Sequence, residues 1–188
     1  MNFTSIDFET ANNTKAGICA AGVAVFEDDK LVESLYWLVR PPKGCGWFLE
    51  EFTKNCHGLT WFDVQNAPEF STIAPEILAR LIRADIVIAH NAAFDMRKLR
   101  GTLEHFGFAC PAFDVLCTLK LSRQVWPELR NHDLKTLSMH IGHEFQHHHA
   151  QADAESAGRV LLAMMKHANA KTPRELLQMT SLAPDHVS

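Results

Sequence analysis

Phe3, Ile6 and Phe8 are the apolar positions of Asn2 to Phe8, and the run closes on the acids of Asp7-Phe8-Glu9. Read as a strand, the segment turns Asp7 and Glu9 the same way and sends Ile6 and Phe8 into a core. Two further apolar runs, Ile18 to Phe26 and Leu31 to Val39, flank the polar tip Glu27-Asp28-Asp29-Lys30, which predicts a hairpin and three sequential antiparallel strands. Arg40-Pro41-Pro42 ends the third, because proline cannot donate to a ladder. The stretch from Lys43 to Phe70 reads as irregular. A helical stripe of Ile73, Ala74, Ile77, Leu78, Leu81 and Ile82 then starts near Ser71 or Thr72. Asp85 to Ala89 is the continuous apolar run of a strand buried on both faces. The helix after it spans about Ala92 to Phe106, with Ala93, Met96, Leu99, Leu103 and Phe106 inward and Gly107 as its stop. A short strand at Phe113-Asp114-Val115, helices over Leu116 to Val125 and Leu134 to Ile141, and a histidine-rich loop from His143 to Gln151 follow. They lead to a long helix with Ala154, Ala157, Leu161, Met164 and Ala168 inward. The order predicts an α/β fold: a mixed central sheet, antiparallel in its first three strands and then parallel, flanked by helices.

With 188 residues the chain suits one domain, taken as 1–170, followed by a tail at 171–188 with at most a short helix. A net charge of −4 argues against coating nucleic acid by bulk positive charge. A local basic face is available from Arg97, Lys98, Arg100, Lys120, Arg123, Arg130 and Lys135. Five scattered cysteines fit neither a disulfide framework nor a thiolate zinc site, so a reducing, cytoplasmic setting is expected. No apolar run nears membrane-spanning length, and no membrane partner is expected.

The acids carry the chemistry. Two carboxylates on one face of a strand raise each other's pKa unless a cation sits between them, and oxygen-only ligation suits Mg²⁺ or Mn²⁺. Asp95 opens one helix and Asp153 another, where each is also favourable against the helix dipole. His132, His140, His143, His147, His148 and His149 form a cluster that a zinc site would need acids or cysteines to complete.

Three motifs in order, Asp7-Phe8-Glu9-Thr10, His90-Asn91-Ala92-Ala93-Phe94-Asp95 and His148-His149-Ala150-Gln151-Ala152-Asp153-Ala154, resemble those of the DEDDh 3′–5′ exonucleases. That group includes the proofreading subunit of bacterial replicative polymerase, ribonuclease T and oligoribonuclease. His57-Gly58-Leu59-Thr60 and Leu134-Lys135-Thr136-Leu137 resemble further stretches of the family. The resemblance implies a ribonuclease H-like fold, two Mg²⁺ or Mn²⁺ ions held by Asp7, Glu9, Asp95 and Asp153, and His148 as general base, with His147 and His149 left without a role. It implies that Thr10, Ala11, His57, Asn91 and Phe94 meet the terminal nucleotide. The substrate is then the 3′ end of single-stranded DNA or RNA, with DNA favoured. The alternatives are a ribonuclease T-like or oligoribonuclease-like RNA enzyme, and a non-catalytic nucleic-acid-binding module of the same fold. Monomer or homodimer, and association with a polymerase or sliding clamp, are left open.

Overall fold

The computed structural model describes residues 1–187. Strands β1 (Asn2–Thr10), β2 (Ile18–Glu27) and β3 (Lys30–Leu38) form the antiparallel meander that the apolar runs predict. Short helices α1 (Glu50–Asn55) and α2 (Trp61–Val64) occupy the stretch expected to be irregular, and α3 (Phe70–Arg83) follows. Strand β4 (Ile86–Ala89) leads to α4 (Ala92–His105), and β5 (Phe113–Cys117) to α5 (Thr118–Val125). Helices α6 (Leu134–His140), α7 (Ala150–Ala168) and α8 (Pro173–Met179) precede strand β6 (Asp185–Val187). The sheet order is β3-β2-β1-β4-β5-β6, with β4 parallel to β1 and to β5. The sixth strand lies outside the expected pattern. Its three residues are too few to show alternation, yet they pair antiparallel with β5 and bury Val187.

Each sheet face has its own core. Ile6 and Phe8 pack with Ile77, Leu81, Leu99 and Leu103 beneath α3 and α4. Phe3 and Phe26, stacked with ring centroids 4.6 Å apart, pack with Val160, Leu161 and Met164 of α7 and with Leu176 of α8. Each such buried side chain contributes roughly 1.5–3 kcal/mol of transfer free energy. Two expected core positions are exposed. Ile82 points to solvent because it lies about 140° around the helix from Ile77. Ala93 is likewise outward, its inward place taken by Ala92.

Two glycines set how closely α7 approaches the sheet. Gly22 pairs across from Asp7, and a β-carbon there would stand 2.0 Å from the Ala150 carbonyl oxygen at the start of α7. One at Gly158 would stand 2.2 Å from the Phe26 ring. The bare backbone at Gly22 thus lets the first turn of α7 rest beside the acidic end of β1.

Candidate active site

The acidic end of β1 emerges where its neighbours stop. Parallel pairing with β4 ends at Ser5, so the backbone N–H of Phe8 has no strand partner on that side, and it donates instead to Asp95 Oδ1 at 3.1 Å. Asn91, with φ of 62°, turns the chain from β4 into α4 and brings Asp95 to this position in the first helical turn. The aspartate is only 2% exposed. It fixes β1 against α4 as well as contributing charge.

On the other side, His148 takes a left-handed conformation, φ 62°, immediately before α7. The reversal folds the preceding residues over the helix start. Asp153 then accepts from the His149 backbone N–H through Oδ2 and pairs with His147 Nδ1 through Oδ1, both at 2.8 Å. One oxygen each from Asp7, Glu9 and Asp153 lies within 4.8 Å of the others. They line a cleft of about 220 Å³ together with Asp95, His147 and His148. His90, Phe94, Asp133 and Leu134 form its remaining walls with Phe8.

The electrostatics follow from this crowding. Burial, and then the charges of Asp95, Asp153 and Glu9, hold the Asp7 carboxyl well above the usual carboxylate range. Burial and Asp153 push Glu9 up to about 7, against the opposing pull of His147. Burial also raises Asp95, although the Phe8 N–H opposes it. The Asp153 hydrogen bond raises His147, whereas burial and neighbouring His147 lower His148. Carboxylates this close share a strong preference for a cation, and an all-oxygen donor set fits a hard divalent ion.

The remaining expected residues fall in different places. Phe94 lines the cleft, with the Arg97 guanidinium 5.6 Å from its ring centroid. His57 accepts from the Leu59 N–H through Nδ1, at 2.9 Å, so its Nε2–H donates to the Thr10 carbonyl at 3.1 Å. The ring thereby fastens the segment from Cys56 to Thr60 onto the end of β1. Thr10 and Ala11 are buried, and the Ala11 carbonyl accepts from Leu49 N–H at 2.8 Å. Asn91 is exposed beside the turn it makes and is not part of the cleft wall. Sequence reasoning missed Asp133, which caps α6 by accepting from Thr136 N–H at 2.7 Å while facing the cleft. Only the helix-start signal of an aspartate ahead of Leu134 marked it. His90 also joins the wall, its Nδ1 2.9 Å from the Thr118 hydroxyl and its pKa lowered by burial to about 4.

A sequence profile of the exonuclease family (RNase_T) matches residues 5–161, which include every acid of the cleft. The chain belongs to this family, the DnaQ-like 3′–5′ exonucleases. The 3′-5′ exonuclease DinG of Bacillus subtilis is 30% identical over an alignment covering 99% of this chain and 20% of that protein. The PolC-type DNA polymerase III of Oceanobacillus iheyensis is 36% identical over 63% of this chain and 8% of that protein. This chain therefore spans a small part of the curated relatives it matches. Exonuclease X, solved in complex with 5′ overhanging duplex DNA, superposes with a TM-score of 0.73 at 23% identity. That match covers 95% of this chain and 99% of the other. The mixed six-stranded sheet flanked by helices is thus a fold shared with that exonuclease, in line with the expected ribonuclease H-like architecture.

Proposed function

We propose that the chain is a divalent-metal-dependent 3′–5′ exonuclease that removes nucleotides from single-stranded or frayed 3′ ends, DNA in preference, and releases nucleoside 5′-monophosphates. The observation that carries this reading is the meeting of Asp7, Glu9 and Asp153 within 4.8 Å beside two histidines. Asp7, Glu9 and Asp153 would hold one Mg²⁺ or Mn²⁺ ion, and Asp7 with Asp95 a second. Bound there, such ions neutralise the phosphate and stabilise both the attacking and the leaving oxygens.

The chain's own groups do the rest. The water oxygen bonds to phosphorus as the bond from phosphorus to the 3′ oxygen of the preceding nucleotide breaks. The water proton goes to His148, and the departing 3′ oxygen takes up a proton from solvent, so that the shortened strand ends in a 3′-hydroxyl. Two features favour His148 over its neighbours as this base. His147 Nδ1 is committed to Asp153, and His149, whose ring stacks on Tyr36 with centroids 4.4 Å apart, does not line the cleft. His148 makes no hydrogen bond to other described residues and lines the cleft, with a lowered pKa that keeps its ring a proton acceptor near neutrality. Phe94 offers an aromatic face on which any terminal base can stack.

The PolC-type DNA polymerase relative supports DNA over RNA. Five free thiols support a reducing, cytoplasmic setting. Among the described residues no helix is long and apolar enough to cross a membrane. The deciding experiment is a time course on 3′- and 5′-labelled DNA and RNA oligonucleotides with Mg²⁺, Mn²⁺ or EDTA. Stepwise metal-dependent shortening from the 3′ end is expected. Failure to cleave either polymer under any metal would favour the non-catalytic binding module.

A further inference from the structure

Beyond the cleft, α4 has a second chemical face. Arg97 and Arg100 lie three residues apart on its exposed side, and with Lys15 and Lys120 they line a groove of about 460 Å³ that reaches β6. Among the described residues Glu104 and Asp185 are the only acids on this groove, so Lys15, Arg97, Arg100 and Lys120 outnumber them by two to one on a protein of net charge −4. Lys98, expected on the same basic face, turns inward and donates to the Asn12 and Thr14 carbonyls at 3.0 and 2.8 Å. It braces the loop that presents Lys15. Arg97 and Arg100 have no carboxylate partner among the described residues. Lys120 pairs with Asp185 at 2.9 Å and Lys15 with Glu104 at 3.9 Å, all four side chains being more than half exposed. Exposed pairs of this kind hold weakly and exchange readily for another anion.

The groove adjoins the cleft at the start of α4, where neighbouring residues line one or the other. Its upper wall, Ala92 and Ala93, follows His90, and Arg97 covers the outer side of Phe94, whose ring lines the cleft. A row of separate cations leading away from a carboxylate site matches the spaced charges of a polyphosphate chain better than a single small anion.

We propose that this groove binds the sugar–phosphate backbone of the substrate strand on the 5′ side of the nucleotide being removed, with Arg97, Arg100 and Lys120 as phosphate contacts. The inference rests on the exonuclease reading and adds to it a second subsite that makes activity depend on strand length. Its test compares kcat/KM on a dinucleotide with that on a strand of about twenty nucleotides, across a salt series, for the wild type and the Arg100→Gln/Lys120→Gln double variant. The long strand is expected to lose about tenfold more than the dinucleotide, and the salt slope to fall by about 0.7 for each phosphate that is no longer neutralised. The charge-keeping Arg100→Lys/Lys120→Arg variant should recover most of that loss, and the melting temperature serves as a check on folding. Equal losses on both substrates, or none, would overturn the proposal in favour of an acidic protein partner. A wild type that cleaves neither substrate would instead refute the exonuclease reading.

Discussion

Asp7 sits in a position that costs the metal-free protein stability. Its carboxyl ordinarily loses its proton near 3.8, but burial and three neighbouring acids hold it well above that in the folded state, with Glu9 raised to about 7. The folded state therefore binds more protons than the unfolded one across this interval. The contribution of these acids to metal-free stability is expected to be fully present below the ordinary carboxylate value and to be lost as pH rises through the raised values. Asp7→Asn should raise the metal-free melting temperature at neutral pH, remove the rise that Mg²⁺ or Mn²⁺ gives the wild type, and lower exonuclease activity by at least about a hundredfold. Thermal melts with and without EDTA would show it, and an unchanged metal response in the variant would contradict the metal site. Among the histidines, His148→Ala should lose more kcat than His147→Ala, by roughly 10²–10⁴-fold against a smaller loss arising from freed Asp153. The reverse ranking would move the base to His147.

At the scale of elements, the decisive contact is α7 on β2. Gly22→Ala would place a methyl against the Ala150 carbonyl and push the first turn of α7, with Asp153, away from Asp7. The expected cost is about 1–3 kcal/mol in stability, from overpacking. Activity should fall by about a hundredfold, as an ångström of misplacement commonly costs. Gly158→Ala strains the same helix against Phe26, two turns from the site, and should cost comparable stability with a smaller loss of activity. Chemical denaturation alongside initial rates would separate the two. These elements also show what could be read from sequence. Strands β1, β2 and β4 and helices α3, α4 and α7 follow from runs long enough to show a period. The acids at their ends could be found because a charge closing an apolar run is conspicuous. What could not be read depends on the path of the chain between elements. The left-handed turn at His148 decides which histidine meets Asp153, and three adjacent histidines carry no local signal to choose among them. Asp133 reads only as a helix cap until α6 is laid beside the cleft.

Across the whole molecule, the sheet is closed by the segment from α8 to β6. Asp114 on β5 is held by Arg174 Nη2 of α8 at 2.8 Å and by His186 Nδ1 of β6 at 3.1 Å, and these hydrogen bonds keep its carboxyl below the usual range. A depressed carboxylate contributes stability that is present above its unfolded value and lost as pH falls through the folded one. The segment is therefore expected to loosen first on acidification below about pH 4, and Asp114→Asn should make its amide exchange rate less dependent on pH there. Hydrogen exchange at the amides paired between β5 and β6 would report it.

Asp7 and Glu9 come from the first strand and Asp153 from the longest helix, far along the chain, so the cluster exists only through long-range packing. The three acids meet only where the first turn of α7 is seated on β2. Any opening that lifts α7 from β2 would part Asp153 from Asp7 and Glu9 and dismantle the site while the sheet still stands.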